Sequence, residues 1–253
     1  MTAMPNAILE IDNVVKRFGG VAATDGVTLH IAEGQVHGLI GPNGAGKTTL
    51  IAQLSGEQRQ DSGRIRFAGE DISALSVAER VHRGLARSFQ ITELLPSMTV
   101  EDNIALAIQA RSGHSYRFWR DARIEPRVRD PARALLEEVM LNHRASTRAA
   151  DLSHGEQRQL ELAMALGTAP RMLLLDEPMA GMGMEESQKM LRLLQRFKGK
   201  ITMLLVEHDM NTVFSLSDRI SVLVYGRLVA SGSPEDIRNS APVREAYLGN
   251  GDA

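Results

Sequence analysis

The chain has 253 residues, of which 43% are hydrophobic and 24% are charged, values typical of a soluble globular protein with a sizeable core. A formal net charge of −2 gives no overall attraction to nucleic acid or acidic lipid, and the lack of cysteine excludes disulfides, thiolate metal sites and a cysteine nucleophile. Because no segment approaches the roughly 18 apolar residues of a membrane span and residues 1–10 lack a secretion-signal pattern, we expect a soluble cytoplasmic protein.

The chain is predicted to begin with a small antiparallel β layer. Residues 8–18 form one predicted strand, and residues 27–31 alternate apolar and polar side chains as a second. A turn at Gly34 then leads into an apolar run at residues 36–40. That run is predicted to be a buried strand of an α/β core.

A glycine-rich loop joins the strand at residues 36–40 to a predicted helix at residues 48–54, which Gly56 ends. The loop matches G-x-x-x-x-G-K-[ST], and its backbone N–H groups and the positive end of the helix dipole converge on one point that suits phosphate. Lys47 supplies a positive charge for the β- and γ-phosphates and the Thr48 hydroxyl a ligand for Mg²⁺, so we predict nucleoside triphosphate binding. The predicted nucleotide-binding residues of the loop are Gly41, Pro42, Asn43, Gly44, Ala45, Gly46, Lys47, Thr48 and Thr49.

Further elements follow the loop helix. A strand at residues 64–68, a turn at residues 69–71 and a helix at residues 78–85 are predicted next, leading to residues 86–90. Thr99, with an aspartate three residues later, is a start signal for a helix through about residue 110.

Arginine recurs between residues 111 and 133, with three aromatic side chains interleaved. Arginine and aromatic side chains together favour a nucleic-acid surface, because they grip phosphates and stack on bases. Acidic residues alternate with the basic ones, which favours a solvated helical hairpin instead. We prefer the hairpin and expect no nucleic-acid partner.

A capping box, S-x-x-E, is formed by Ser153 and Glu156 at the start of a helix that runs to about residue 166, with Gly167 as its stop. By itself this pattern has only a structural meaning. The remaining predicted elements are a helix at residues 185–197, a hairpin of strands at residues 220–224 and 228–230, and a last short helix from Ser233.

Two predicted strands end in ionisable side chains. Residues 172–176 are an apolar strand ending in Asp176 and Glu177, and a strand at residues 201–206 is followed closely by His208. Since the carboxyl ends of parallel strands form the ligand face of an α/β sheet, we expect these side chains near the phosphate loop. Asp176 can hold Mg²⁺ through its water shell, Glu177 can orient or deprotonate the attacking water, and His208 is a candidate sensor of the γ-phosphate.

These motifs, in this order, resemble the ATP-binding subunit of an ABC transporter over nearly the whole chain. The resemblance implies that Phe18 stacks on adenine. It also implies that Gln90 belongs to a glutamine loop, which joins the core to a helical subdomain and reaches Mg²⁺ and the catalytic water. The catalytic residues are then expected to be Glu177, His208 and Gln90.

Residues 152–157 resemble the signature sequence of this family, whose helix N-terminus meets the γ-phosphate of ATP held by the opposite subunit. His154 departs from the pattern, since the family usually has two adjacent glycines there, and we interpret the change as harmless. Gly183 stands where the family usually carries aspartate, so we assign it no catalytic role. The signature residues expected to bind nucleotide are Ser153, Gly155 and Glu156.

Residues 83–90, 178–182 and 245–249 narrow the resemblance to the ATPases of branched-chain amino-acid importers, whose relatives carry urea or other small amides. The lipopolysaccharide-export ATPase is a near relation and remains the alternative. The resemblance implies a homodimer, or a heterodimer with a paralogous ATPase subunit, docked near Gln90 on integral membrane permeases at the inner face of the cell membrane. A solute-binding protein would act indirectly.

The implied fold is α/β, with an ABC-type phosphate-loop ATPase core, an antiparallel β subdomain and an inserted α-helical subdomain. We expect one domain over residues 1–253, and ATP and Mg²⁺ as its cofactors. Its expected parts are the core and β subdomain at about 8–89 and 151–232, the helical subdomain at about 90–150, and a helical tail at about 233–253.

Two other classes of protein share the phosphate loop. Soluble ABC ATPases of DNA repair or translation carry the same motifs, but the sequence contains neither the long coiled-coil insertion of the first nor the second cassette usual in the second. A phosphate-loop kinase that modifies a small molecule would have no use for the signature helix.

Overall fold

The computed structural model describes residues 7–88, 94–111, 126–240 and 243, and these form two β-sheets and the helices that cover them. The strands are β1 (Ala7–Phe18), β2 (Val21–Ala32), β3 (Val36–Ile40), β4 (Ser62–Phe67), β5 (Glu70–Asp71), β6 (Leu85–Ser88), β7 (Met172–Asp176), β8 (Thr202–Val206), β9 (Arg219–Val224) and β10 (Arg227–Gly232). The helices are α1 (Lys47–Ser55), α2 (Val77–His82), α3 (Val100–Arg111), α4 (Pro126–Glu138), α5 (His154–Gly167), α6 (Met184–Phe197), α7 (Met210–Leu216) and α8 (Pro234–Asn239). Within the described ranges, no helix has the length and apolar character needed to cross a membrane.

The first sheet is antiparallel, as predicted for the start of the chain. Its strand order is β2-β1-β4-β5, and β1 pairs antiparallel with both β2 and β4. Its inner face buries Ile11, Ile31 and Phe67 in one cluster with Leu50 and Ile51 of α1. Since burying one such side chain contributes about 1.5–3 kcal/mol, this sheet holds in place the helix that follows the phosphate loop.

The second sheet has the order β10-β9-β3-β8-β7-β6, with β10 antiparallel to β9 and the other neighbours parallel. Strands β3, β7 and β8 are buried along their whole length, as central parallel strands are. Leu39 pairs with Val206, and Val206 pairs with Asp176. The carboxyl ends of these three strands therefore lie side by side at one edge of the sheet.

Helices α3, α4 and α5 pack on one another beside the parallel sheet. Leu136 of α4 and Leu160 of α5 share one buried cluster with Leu173 of β7. On the outer side, the Arg129 guanidinium of α4 pairs with carboxylates in the first turn of α3. These contacts support the helical-hairpin interpretation for the described part, while residues 112–125, with the three aromatic side chains, lie outside the described residues.

The predicted helix at residues 78–85 is too long. Helix α2 ends at His82, and Leu85 begins β6, a strand parallel to β7 that the sequence analysis did not predict. Gly84 has a φ of 94°, a left-handed conformation that ends a helix and that glycine adopts readily. Leu85 and Ala86 are buried in the sheet, and a strand of four residues is too short to show an alternating pattern.

Two features of the remaining helices also differ from prediction. Gly167 is the last residue of α5, not its stop, and the helix is capped at Thr168. A Cβ atom at Gly167 would lie 3.2 Å from Ile108, so glycine lets α5 pack closely against α3. Helix α7 was not predicted, although Asp209 caps it through backbone N–H groups of its first turn.

Candidate nucleotide-binding site

The glycine-rich loop is fixed against two neighbouring strands. A Cβ atom at Gly46 would lie 1.9 Å from the carbonyl oxygen of Ala23, and one at Gly41 would lie 2.1 Å from that of Leu223. Gly46 also has a φ of 101°, so glycine is required there. As the N-cap of α1, Gly46 offers no side chain to bond the first N–H groups of the helix. Those donors remain for an anionic ligand.

The tip of the loop is open to solvent. Asn43 and Gly44 are exposed, and the Ala45 N–H donates to the Pro42 carbonyl oxygen at 3.2 Å. In the first turn of α1, Thr48 is exposed and Thr49 is half-buried. The predicted phosphate-binding loop therefore closes as a hydrogen-bonded turn, and the hydroxyl groups of Thr48 and Thr49 lie in the first turn of α1.

Lys47 is buried within the loop. Its Nζ donates to the carbonyl oxygens of Gly41 at 2.7 Å and Pro42 at 3.0 Å. Burial lowers the pKa of the Lys47 ammonium, and the charges of Glu177 and Asp176 act in the opposite direction. The ammonium group thus lies in the loop and within electrostatic reach of both strand-end carboxylates.

Asp176, the last residue of β7, has a fully buried side chain with two different oxygen atoms. Oδ2 accepts a hydrogen bond from the Arg87 guanidinium at 2.9 Å, whereas Oδ1 has no hydrogen-bond partner in the described part of the chain. Burial raises the pKa of the Asp176 carboxyl, and Arg87 opposes that rise. A buried carboxylate oxygen without a partner fits the water shell of Mg²⁺ predicted at this residue.

Glu177 and His208 meet across the ends of β7 and β8. The Nε2 atom of His208 lies within hydrogen-bond distance of Oε1 of Glu177. Glu177 has a φ of 51°, unusual for a residue with a side chain, and its N–H donates to the Val206 carbonyl oxygen at 2.9 Å. The backbone of one strand end therefore holds the predicted general base beside the predicted phosphate sensor.

Glu207, which the sequence analysis did not single out, ties the two strand ends together. Its buried carboxylate accepts hydrogen bonds from the N–H groups of Met179 at 2.9 Å and His208 at 3.1 Å. Burial raises the pKa of Glu207, and these two hydrogen bonds oppose the rise. Its position next to His208, at the end of an apolar strand, was the available sequence signal.

Phe18 and Gln90 were assigned through the family resemblance. Phe18 ends β1 with half of its surface exposed, and Nζ of Lys16 lies 5.5 Å from the centre of its ring. Its exposed ring is available for stacking. Adenine binding by Phe18 stays a prediction. Gln90 lies outside the described residues.

The signature residues Ser153, Gly155 and Glu156 contact α6 and Arg144. Ser153 and Glu156 form the predicted capping box, in which each side chain accepts a hydrogen bond from the other residue's backbone N–H. The Ser153 hydroxyl donates to Oε1 of Glu186 in α6 at 3.3 Å, and a Cβ atom at Gly155 would lie 2.6 Å from the same oxygen. Glu156 also accepts a hydrogen bond from Arg144 at 2.8 Å. Lys47, Asp176, Glu177 and His208 form one group at the sheet edge, and the signature residues form another beside α6.

The two departures from the family pattern have simple surroundings. Gly183 is the N-cap of α6, with an extended backbone and no atom within 4 Å of a Cβ placed there. His154 lies against the loop that follows Glu177, since a Cβ at Gly181 would be 2.9 Å from its Nε2 atom. The open space around Gly183 would accept a larger side chain, so nothing in the structure explains why glycine stands there.

Comparisons with known proteins point to one family. A family model described as ABC transporter matches residues 24–180, and one described as branched-chain amino acid ATP-binding cassette transporter matches residues 227–253. The chain is 39% identical to the high-affinity branched-chain amino acid transport ATP-binding protein BraF of Pseudomonas aeruginosa, over 97% of this chain and 99% of the relative. It is 35% identical to the LivG protein of Escherichia coli, named for the same function, with the same coverage.

Solved structures agree in fold. A nucleotide-free ATP-binding cassette from an ABC transporter is similar with a TM-score of 0.85 and 34% identity, over 96% of this chain and 100% of that one. The ADP conformation of the cassette MJ1267 is similar with a TM-score of 0.83 and 32% identity, over 96% of this chain and 99% of that one. A dimeric cassette, MJ0796, bound to ADP and Pi has a TM-score of 0.76 at 24% identity and shows likeness of fold alone.

Proposed function

The chain belongs to the ABC transporter family of ATP-binding subunits, and we propose that it powers the uptake of branched-chain amino acids, or related small polar solutes, through separate membrane permeases. The predicted family and fold class are confirmed, and ATP hydrolysis is the activity of such ATPases. The solute class is carried by the match of residues 227–253 to the branched-chain amino acid cassette model, together with the full-length similarity to BraF and LivG.

For hydrolysis, the proposal is supported by the group of ionisable side chains at the sheet edge. Lys47 exchanges its two loop carbonyl oxygens for phosphate oxygens, since its Nζ already lies in the loop. Glu177 orients the attacking water and accepts its proton. His208, paired with Oε1 of Glu177, fixes the orientation of that carboxylate and then donates to the γ-phosphate.

Asp176, Thr48 and Gln90 are the residues proposed to hold Mg²⁺. The unpartnered Oδ1 atom of Asp176 supports this assignment. When bound, Mg²⁺ supplies positive charge that neutralises the phosphate oxygens. Phe18 is proposed to stack on the adenine ring, because it is an exposed aromatic side chain at the end of a strand.

A composite site between two subunits completes the proposed mechanism. Ser153, Gly155 and Glu156 lie at the N-terminus of α5, where backbone N–H groups and the helix dipole favour an anion. These residues have partners on α6 and near residue 144, apart from the phosphate loop of their own chain. Two ATP-binding subunits, identical or paralogous, would therefore close head-to-tail, each offering its signature helix to the partner's nucleotide.

The permeases are proposed to dock in an apolar groove whose lining includes Leu94. The groove encloses about 160 Å³ and is lined by apolar side chains of α2, α3 and α5, including Val81, Ala107 and Met164. Glu57 adds an exposed carboxylate at its wall. This lining suits a permease segment with apolar side chains and a basic one. The subunit would then lie at the cytoplasmic face of the membrane, and a solute-binding protein would act only through the permeases.

Reconstitution with the permeases tests the proposal. The purified chain and candidate permeases are placed in vesicles with a candidate solute-binding protein, and ATP turnover is measured with leucine, isoleucine, valine, urea or short amides. Stimulation by a branched-chain amino acid, together with its uptake into the vesicles, is the expected result. The variant Lys47→Ala serves as the control for turnover by contaminants.

Two outcomes would contradict the proposal. Turnover that responds to lipopolysaccharide and to none of the small solutes would indicate an export ATPase. Turnover indifferent to the permeases and to every solute would indicate an ATPase with a role away from transport.

A further inference from the structure

Arg87 is a buried cation that bridges two carboxylates from distant parts of the chain. It lies on β6, and only 8% of its side chain is exposed. One guanidinium nitrogen donates to Oδ2 of Asp176 at 2.9 Å, and another donates to Oε2 of Glu57. The Asp176 side chain is fully buried, whereas the Glu57 side chain is 38% exposed. The bridge therefore runs from the proposed metal carboxylate to the protein surface.

The Asp176 carboxylate depends on this arginine for compensation of its charge. Arg87 donates directly to Oδ2 of Asp176, whereas the Nζ atom of Lys47 donates to carbonyl oxygens of the phosphate loop. Within the described ranges no other cation bonds this carboxylate directly, so loss of Arg87 would leave a buried charge uncompensated. Because the planar guanidinium offers nitrogens in fixed directions, it also sets the orientation of the carboxylate that it bonds.

The other end of the bridge lies in the proposed permease-docking groove. Glu57 and Arg87 both line that groove, between Val77 and Val81 of α2 and Met164 of α5. The Nε atom of Arg87 is buried and has no hydrogen-bond partner in the described part of the chain. The Arg87 guanidinium is therefore positioned by its hydrogen bonds to Glu57 and Asp176. A change at one of these carboxylates should alter the hydrogen bond of Arg87 to the other.

We propose that Arg87 is a positioning residue for Asp176 and that, through Glu57, it carries the docking of a permease segment to the Mg²⁺ site. The docking half of this proposal rests on the proposed function. The docking segment presents a basic side chain to Glu57, which draws that carboxylate away from Arg87. Arg87 then bonds Asp176 alone and holds its carboxylate in one orientation for the metal.

The positioning half is tested on the isolated subunit, without permeases. Binding of a fluorescent ATP analogue is titrated with Mg²⁺ for wild type and Arg87→Gln. We expect the Mg²⁺ concentration for half-maximal binding to rise about 10–100-fold in the variant, the usual range for loss of a residue that orients a metal ligand. Arg83→Gln, which removes an exposed arginine paired with Glu70 at 3.0 Å, is the matched control and should match wild type.

Folding of each variant is checked by thermal unfolding before the titration. A folded Arg87→Gln protein with wild-type Mg²⁺ dependence would overturn the positioning role. If Arg87→Gln does not fold, Arg87→Lys is titrated with Mg²⁺ in the same way. It keeps the positive charge but loses the planar fork that bonds two carboxylates at once. Wild-type Mg²⁺ dependence in a folded Arg87→Lys protein would then overturn the positioning role.

The docking half is tested in the vesicles with permeases. We expect Glu57→Gln to lower the ratio of permease-stimulated to basal hydrolysis about 5-fold or more, as expected for loss of coupling between two sites. Glu70→Gln is the control and should keep the wild-type ratio. Glu57→Gln and Arg87→Lys should lower the ratio together no more than either does alone, because they break one bridge.

These results separate the two proposals. A wild-type subunit that permeases stimulate, with the same ratio in Glu57→Gln, overturns the bridge and leaves the proposed function standing. A wild-type subunit that permeases do not stimulate overturns the proposed function and the docking half with it. The Mg²⁺ titration judges the positioning half in either case.

Discussion

The imidazole Nε2 of His208 lies 2.5 Å from Oε1 of Glu177, although 31 positions separate the two residues in the chain. The parallel pairing of β7 with β8 brings them together, and Glu207 fixes the backbone on both sides through two N–H groups. The proposed general base is thus held by the proposed phosphate sensor. A substitution at His208 should therefore also alter the orientation of the Glu177 carboxylate.

The first prediction concerns His208→Gln. Glutamine keeps a hydrogen-bonding side chain but cannot hold Glu177 and donate to the γ-phosphate with the same geometry, so we expect hydrolysis to fall by about 10²-fold or more with ATP affinity nearly unchanged. Single-turnover hydrolysis and equilibrium binding measure the two effects separately. His82→Gln, at an exposed histidine of α2, is the control. Loss of affinity without loss of turnover would contradict the assignment.

The second prediction is that Lys47→Ala abolishes productive ATP binding. The substitution removes the ammonium group that lies in the loop and with it a charged contact to phosphate, of the kind that contributes about 1.5–3 kcal/mol. We expect affinity to fall about 10–100-fold and turnover to be lost. Isothermal titration with ATP and a steady-state assay provide the measurements, with Lys200→Ala, at an exposed lysine after α6, as control. Near-normal values for both would exclude Lys47 from the site.

The third prediction concerns pH and His37, a residue of β3 that is fully buried. Burial, helped by the charge of Arg219, lowers the pKa of His37 from 6.5 to about 4. Between these values the unfolded chain binds the proton and the folded chain does not. The free energy of unfolding should therefore fall as pH drops from 6.5 to 4, by about 3 kcal/mol over the full window.

The variant His37→Gln isolates this effect. Glutamine does not titrate and can still bond the Ser221 hydroxyl, which lies 2.9 Å from Nε2 of His37. Urea unfolding at pH 7.5, 6 and 5 should show a steeper loss of stability in wild type than in the variant. Parallel curves for the two proteins would mean that His37 takes up its proton equally in both states.

The sequence predicted that Asp176, Glu177 and His208 lie together at the sheet edge, because each of them stands at or just after the end of a strand that its neighbouring residues identify. Uninterrupted apolar runs identify β3, β7 and β8 as central strands, and Asp176 and His208 come at or just after their ends. Parallel pairing then brings those ends to one edge whatever the details of the loops. The phosphate loop, Asp176, Glu177 and His208 could therefore be grouped from pattern alone.

The bridge of Arg87 could not be predicted in the same way. Its partners Glu57 and Asp176 stand 30 and 89 positions away, and no periodic pattern links an arginine to carboxylates so distant. Strand β6 itself was missed, because four residues after a glycine give too short a pattern. The contact of Glu186 with Ser153 is of the same kind, since it depends on how α5 and α6 pack.

The fourth prediction is that Glu177→Gln accumulates as a closed dimer with ATP. Glutamine keeps size and hydrogen bonding but removes the carboxylate that activates water, so turnover should fall by about 10² to 10⁴. Without hydrolysis, the γ-phosphate keeps linking the phosphate loop of one chain to Ser153 of the partner. Size-exclusion chromatography with light scattering should show a dimer with ATP and a monomer with ADP. An inactive variant that binds ATP and stays monomeric at high concentration would contradict the composite site.

The fifth prediction concerns Glu186, whose carboxylate accepts the Ser153 hydrogen bond and fills the space beside Gly155. That carboxylate lies at the helix N-terminus where the composite site would receive the partner's γ-phosphate, so its negative charge should oppose closure.

Removing the charge with Glu186→Gln, in the Glu177→Gln background, should shift dimerisation to lower ATP concentration. At a helix N-terminus such a charge contributes about 0.3–1 kcal/mol, which corresponds to roughly a two- to fivefold shift. Glu185→Gln, one residue earlier and paired with Lys189 on the surface, is the matched control and should leave dimerisation unchanged.

Ser153→Ala should act in the opposite direction, because it removes a hydroxyl donor from the same helix end. Dimerisation at the same ATP concentration in Glu186→Gln as in its parent would mean that the partner's phosphate does not approach α5 at this point. An equal shift in Glu185→Gln would mean that overall charge, and not this contact, sets the closure.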